Sequence, residues 1–328
     1  MRFAWWGNDD SAEVTNEAVA LFMKKNPTIK VETSTAVYDG GKLYGLPLGQ
    51  TSVVMLYDPK VWKESGAEPP RLCWTWDDYF EAAKKITEHT GGAMSGATDF
   101  GREESWFKIW LSQQDKSLNT ADGKLNYTEQ DVAAFWTLAT KFREAKAGTP
   151  AEVTAVDPAG SPLVCKLSAS EFQPDSAIGD KAWETYGREM ALAPLPQVGA
   201  ELGLYAEPPM ILSVYDRAKN RDAALKLADF LVNDPEAGKI LGMARGLPAN
   251  LRTRVAITPG LSGPWKQVHA YEESISSQVK LGPPAPPKGA SANFLLFNKP
   301  YEDVMYGKST PEDAARRYYA EAQQNLAG

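Results

Sequence analysis

Ser52-Val53-Val54-Met55-Leu56-Tyr57-Asp58-Pro59-Lys60-Val61-Trp62 sets a short apolar run directly against a stop and a helix start. The apolar run is too short for a helix and reads as a buried strand; Asp58-Pro59 closes it, and a helix is predicted around Val61 and Trp62. A strand passing straight into a helix is the unit from which layered α/β proteins are built, and it recurs on either side. Upstream, Arg2-Phe3-Ala4-Trp5-Trp6-Gly7 reads as a strand, and Ser11 is placed to cap a helix with Val14, Ala18, Leu21 and Phe22 at helical spacing. Asn26-Pro27 stops that helix, and Ile29-Lys30-Val31-Glu32-Thr33 alternates as the next strand. Downstream, the stretch from Thr75 to about Phe142 is predicted to be mostly helical. One helix starts at Thr75 or Asp77, a second holds Phe107 to Leu111, and a third holds Val132 to Trp136. Met190 to Ala193 and Met210 to Val214 read as strands, with a helix from Ala223 to Leu231 before Asn233-Asp234-Pro235. The last helix has a clear start: Thr310 caps it, Pro311 takes the first turn, and Glu312 and Asp313 suit the positive end of its dipole.

Length and composition bound what this architecture does. A chain of 328 residues exceeds the size at which one core keeps growing, so two compact lobes are expected. With 43% hydrophobic and 23% charged residues it is neither disordered nor fibrous. A formal net charge of -7, with no dense Lys/Arg run, offers no footprint for phosphate backbones, so nucleic acid is not expected as a partner. Cys73 and Cys165 stand far apart without metal-type spacing and read as two separate thiols. No apolar run approaches the length of a membrane span, and the opening residues read as a strand without a charged-then-apolar leader.

Catalytic signatures do not emerge. The sequence holds no Gly-x-Ser-x-Gly elbow, no Walker A loop, no Gly-x-Gly-x-x-Gly and no His-Glu-x-x-His. His89 and His269 are its only histidines, which leaves little material for imidazole chemistry or a metal site, and no cofactor is expected. Asp122-Gly123 before Glu129 reads as a plain turn, since a calcium loop ending there would need its first oxygen from Leu118. Carboxylates are plentiful, however, and a glycoside hydrolase needs only two of them across a cleft.

What the chain has in quantity is aromatic surface chemistry, with ten tryptophans and thirteen tyrosines. The apolar face of a pyranose packs on such rings, while its hydroxyls need Asp, Asn, Gln, Glu or Arg to replace lost water. Trp5-Trp6 followed by Gly7-Asn8-Asp9-Asp10 places both chemistries at the end of one strand. Alternation sends one ring to the core and the other to the strand mouth, where open α/β sheets bind ligands.

Several of these stretches, taken in order, carry a resemblance: Arg2 to Gly7, Leu21 to Pro27, Asp39-Gly40-Gly41-Lys42-Leu43-Tyr44-Gly45-Leu46-Pro47-Leu48-Gly49, Leu56-Tyr57-Asp58, and Trp74-Thr75-Trp76-Asp77-Asp78. Ala193-Pro194-Leu195-Pro196, Phe230 to Ala237 and Arg245-Gly246-Leu247-Pro248 continue it. In that sequence they resemble the family 1 extracellular solute-binding proteins of ABC transporters, the carbohydrate binders related to maltose-binding protein. The resemblance implies a type II periplasmic-binding-protein fold: two α/β lobes, hinged, with the ligand cleft between them. The first lobe would comprise residues 1–54 and 211–261, the second 55–210 and 262–328. It implies a binding protein, not an enzyme, that captures a sugar or oligosaccharide for ABC permease subunits. It also implies a bacterial monomer outside the cytoplasmic membrane, in the periplasm or as a cell-surface lipoprotein. A glycoside hydrolase using two cleft carboxylates is the alternative.

Carried over position by position, the family's sugar contacts fall on Trp6, Asn8 and Asp9 at the first strand mouth, and on Gln50 and Thr51 after the Leu-Pro-Leu-Gly turn. Trp106 matches a stacking ring, whereas Trp110 is expected in the core, and Arg102 is expected to pair with nearby acids. Phe172 and Asp175 fall on a loop that often carries a stacking tryptophan, with Asp175 in the place of that ring. Tyr205, Glu207 and Arg245 complete the set; Arg245 is read either as a two-bond donor to hydroxyls or a uronate, or as half of a surface ion pair. Between Ala36 and Asp39 the family carries on the order of 60 further residues, by rough count of βα units. The first lobe is therefore expected to be truncated, and binding to be weaker than in a complete relative, or lost.

Overall fold

The computed structural model describes residues 2–5, 9–27, 32–35, 46–155, 161–179, 182–215, 217–281 and 286–327. The stretch near 36–39, where the first lobe is expected to be short, lies outside the described residues. The chain divides into two compact units, each assembled from three segments. The first takes Met1–Ser52, Pro174–Asp180 and Ala206–Ala270; the second takes Val53–Gln173, Lys181–Tyr205 and Tyr271–Gly328. Pro174–Asp180, which the sequence reading leaves in the second lobe, packs with the first because Asp175 N donates to Ser52 O at 3.0 Å. The last boundary falls inside the helix Gly263–Ile275.

In the first unit the strand Arg2–Trp5 pairs in parallel with Glu32–Thr35, joined through the helix Asp9–Lys25. The second strand thus runs beyond the expected Thr33, while Ile29–Val31 lies outside the described residues. Leu46–Pro47 pairs antiparallel with Ile211–Leu212, and Gly49–Gln50 with Leu247–Pro248. The core is built on helical periodicity: Ala18 and Phe22 from the Asp9–Lys25 helix meet Leu227, Phe230 and Leu231 from Arg221–Asn233, and Ala237 and Leu241 from Pro235–Leu241. The rings of Phe22 and Phe230 lie 5.4 Å apart. The Pro235–Leu241 helix starts where Asp234 accepts from Glu236 N at 2.9 Å and Ala237 N at 3.1 Å, with Pro235 in the first turn.

In the second unit Val53–Tyr57 is the central strand of three, between Ser170–Pro174 and Ala191–Ala193. Val54, Met55 and Leu56 are buried, as a strand covered on both faces requires. The Asp58 carboxylate then caps Pro59–Glu64, accepting from Lys60 N at 3.0 Å and Val61 N at 3.1 Å. Helices Trp76–His89 and Glu129–Glu144 both begin with reciprocal capping boxes, Thr75 with Asp78 and Thr128 with Asp131. They enclose an aromatic core in which Phe107 stacks on Phe297 at 5.4 Å, and Trp136 lies 5.3 Å from the same ring. A polar knot is embedded in it: the Tyr301 hydroxyl reaches both Asp99 oxygens at 2.9 Å, Arg143 Nη1 donates to Asp99 at 3.2 Å, and Gly101 N donates at 2.8 Å. Burial pushes the Asp99 pKa up in spite of the Arg143 guanidinium beside it. The C-terminal helix Pro311–Ala327 opens at the proline and buries Ala315, Tyr318 and Ala322.

Candidate functional site

In the first unit the expected contacts gather around Thr51. Gly49–Gln50 approaches Arg245-Gly246 so closely that a Cβ at Gly49 would run into the Arg245 carbonyl, and one at Gly246, where φ is +81°, would meet Gln50 O. That approach brings Thr51 against Glu207: Thr51 N donates to Glu207 O at 2.8 Å, and Glu207 N returns the bond at 3.0 Å. The Thr51 hydroxyl donates to Asp175 Oδ1 at 2.6 Å and lies 2.9 Å from Ser176 Oγ. Ser52 N donates to Asp175 Oδ2 at 3.1 Å. Asp175 is only 1% exposed, so its carboxylate works inward, tying the 49–52 and 174–176 segments together. Gln50, Thr51, Ser176 and Glu207 are half-buried and keep a solvent-facing portion. Thr51, Asp175 and Glu207 each lie within two residues of a point where the chain passes from one unit to the other.

Arg245 is 4% exposed, which fits neither a surface ion pair nor an open donor. Its guanidinium donates to the Thr15 hydroxyl and, at 3.0 Å, to the Met210 sulfur. Burial draws its pKa down to about 10. It braces the Asp9–Lys25 helix against the segment entering Ile211–Leu212.

In the second unit the decisive local fact is the alternation along Ser170–Pro174. Ser170 and Phe172 point into the core, while Glu171 and Gln173 are half-buried on the opposite face. Phe172 is 7% exposed and stands edge-on to Trp76 at 5.8 Å and Trp106 at 6.1 Å. Trp106, on the helix Glu104–Ser112, is half-exposed, whereas Trp110 is buried, as expected. Tyr205 is half-exposed on Tyr205–Ala206. The sequence reading names Phe172 in this stretch, whereas the positions on its solvent-facing side are Glu171 and Gln173. Glu171 accepts from Leu163 N at 3.5 Å, with its pKa pushed up by burial, and Gln173 Nε2 donates to the Tyr186 hydroxyl at 3.4 Å. Period-two alternation would find both, once one residue of the strand is known to be buried.

The remaining sequence-predicted residues separate. Trp6 and Asn8 lie outside the described residues, as does the side chain of Asp9, which opens its helix. Arg102 pairs as expected, donating to Glu302 at 3.0 Å and to the Thr154 carbonyl at 2.6 Å. Glu104, in the first turn of the Trp106 helix, is a buried carboxyl that accepts from the Tyr318 hydroxyl at 3.2 Å; Tyr127 donates to Tyr318 at 3.2 Å. Burial pushes the Glu104 pKa up to about 7. Within the first unit a cavity of about 630 Å³ is lined by Val14, Met243, Ile257, Leu261 and Trp265 among others, and none of the expected contacts lines it. Among the described residues no group of three or more His, Cys, Asp and Glu side chains could hold a metal ion, and no helix is long and apolar enough to cross a membrane. Cys73 and Cys165 are not joined to each other.

Comparison with known proteins adds to this geometry. The family model of bacterial extracellular solute-binding proteins matches residues 33–238, more than half of the chain. The arabinooligosaccharide-binding protein of Bacillus subtilis (strain 168) is 35% identical over 96 residues. That match spans 29% of this chain and only 22% of the relative's length. A family 1 extracellular solute-binding protein from Alicyclobacillus acidocaldarius superposes with a TM-score of 0.80 at 23% identity, covering 100% of this chain and 98% of the other. A periplasmic oligogalacturonide-binding protein from Yersinia enterocolitica, solved with saturated digalacturonic acid, gives 0.81 at 18%, with the same coverage. At these identities the likeness carries the fold, which is the type II α/β solute-binding fold expected from the sequence.

Proposed function

Because this chain belongs to the bacterial extracellular solute-binding protein family, we propose that it captures a sugar or oligosaccharide and hands it to the permease subunits of an ABC transporter. It is a binding protein and not an enzyme, since the family is one of binding proteins, and the glycoside-hydrolase alternative has no support. The observation that carries the sugar reading is the Thr51 junction. One hydroxyl is fixed by a buried carboxylate, and Gln50, Ser176 and Glu207 stand half-exposed around it, a mixture of donors and acceptors matched to a polyol. In the second unit the half-exposed Trp106 ring supplies a face for C–H groups, and Tyr205, Glu171 and Gln173 supply polar groups. Arabinooligosaccharide binding by the Bacillus relative is consistent with this chemistry.

The protein works as a monomer outside the cytoplasmic membrane, in the periplasm or as a cell-surface lipoprotein, and holds its ligand more weakly than a complete relative. A thermal-shift screen over mono- and oligosaccharides tests the reading. A ligand at about 100 times its Kd adds about 2.7 kcal/mol to the folded state, a rise of several degrees. A flat response across the panel refutes sugar capture. Release of new reducing ends from a glycan panel would restore the hydrolase.

A further inference from the structure

We infer that Tyr301 and Glu302, neighbours on the helix Asn298–Met305, are positioning residues for the Trp106 ring, acting on it through the loop 99–102 and touching no ligand themselves. The inference rests on the sugar-capture reading, in which Trp106 is the ring face of the second unit, and deepens it. Trp106 is the third residue of Glu104–Ser112, so its placement follows the way the chain enters that helix. A helix start is commonly fixed by a side chain that accepts from the first free N–H groups. Thr75 and Thr128 do this for their helices, whereas Glu103, at the same place here, makes no such bond. Glu104 holds the buried side of the first turn through Tyr318, and the direction of entry is left to the loop ahead of it.

Asn298–Met305 grips that loop at Asp99, Gly101 and Arg102. The Tyr301 hydroxyl lies 2.9 Å from each Asp99 oxygen, and Asp99 in turn accepts from Gly101 N at 2.8 Å. The Tyr301 ring lies so close to Gly101 that a Cβ there would come within 2.1 Å of its Cζ, which is why the position takes glycine. Glu302 accepts from Arg102 Nη2 at 3.0 Å. Trp136 Nε1 donates to Gly101 O at 3.1 Å and Arg143 Nη1 to Asp99 at 3.2 Å, completing the hold. Phe172 then backs the Trp106 ring edge-on at 6.1 Å. All of these residues belong to the second unit. A side chain that packs on a ligand has to be held to within about 0.5 Å by its supports. Without the Tyr301 hydroxyl, Asp99 and Gly101 lose their common anchor, and the first turn that carries Trp106 can pivot.

Fluorine NMR of the full chain labelled with fluorotryptophan tests the positioning without any ligand, the Trp106 and Trp110 resonances being assigned by their loss in the corresponding phenylalanine variants. In Tyr301→Phe and in Glu302→Ala the Trp106 resonance should shift or broaden more than that of Trp110, which lies on the same helix. A Trp106 resonance that moves no more than that of Trp110 in both variants overturns the inference and leaves sugar capture standing. Tyr301→Phe keeps the ring against Gly101, and Glu302 is half-exposed, so loss of the fold in one variant leaves the other to decide. Calorimetry with the tightest-binding sugar of the thermal-shift screen, below the melting transition of every variant, reads the consequence. Each substitution should weaken binding by about threefold when Trp106 is present and by less than about 1.5-fold when it is alanine. Equal losses in both backgrounds, or no loss in either, overturn the inference. Absence of binding by the wild type across the panel removes sugar capture, and the inference with it.

Discussion

Replacing Glu104 by glutamine should make the protein more stable at alkaline pH and change its pH profile in a defined way. Glu104 is 8% exposed, and its carboxyl accepts from the Tyr318 hydroxyl at 3.2 Å. Its folded-state pKa of about 7 stands against an ordinary value of 4.5. At about 1.36 kcal/mol per unit, that gap corresponds to roughly 3 kcal/mol. A folded-state pKa raised above the unfolded value means that the folded protein holds the proton more tightly. The contribution is complete below pH 4.5 and is lost as pH rises through 7. Glutamine keeps an oxygen for Tyr318 and has nothing to ionise. The stability difference between the variant and the wild type should therefore grow by up to about 3 kcal/mol between pH 4.5 and pH 8.5. For a unit of this size that is on the order of 6–10 °C in Tm. Thermal and urea melts of both proteins, followed by tryptophan fluorescence across that range, measure it. Asp99 and Glu171, also raised by burial, act equally in both proteins and cancel in the difference. A difference that stays constant with pH refutes the claim that Glu104 carries this proton.

Three further substitutions separate holding residues from contacting ones. Asp175→Ala removes the acceptor for Thr51 Oγ1 and Ser52 N and should destabilise the first unit by about 2–3 kcal/mol in urea melts; loss of less than about 0.5 kcal/mol would show that the tie is not needed. Trp106→Ala should lower affinity for the tightest-binding sugar at least tenfold while costing little stability, whereas Trp110→Ala should cost about 3–5 kcal/mol of stability, read from melts alongside calorimetry.

Local features were legible before any coordinates. The strand Val53–Tyr57 and its Asp58-Pro59 stop could be read directly, because an apolar run and a cap are decided by adjacent residues. The start of the last helix at Pro311 was legible for the same reason. Long-range pairings were not. Thr51 and Asp175 are separated by 124 residues, and Arg245 and Thr15 by 230, so nothing in either neighbourhood announces the bond. Arg245 was read as a surface or ligand cation because burial of a guanidinium depends on partners brought in by the fold. Phe172 was placed among ligand contacts because the phase of alternation in Ser170–Pro174 depends on which side of the sheet is covered. Trp106 and Trp110 share one helical face by spacing, and the family resemblance, not periodicity, separated them.

The threading of the chain through both units has a kinetic consequence. Neither unit owns a continuous run of sequence: the first needs residues as late as Ala270, and the second closes only with the final segment from Tyr271. During synthesis, the early strands and helices emerge long before their partners and cannot complete a cooperative unit alone. Contacts over more than a hundred residues, such as Thr51 with Asp175, also carry a large loop-closure cost, which slows folding. Most of the polypeptide must leave the ribosome before the native state is reached, which leaves a long interval in which the nascent chain remains open to chaperones or to passage through a narrow pore.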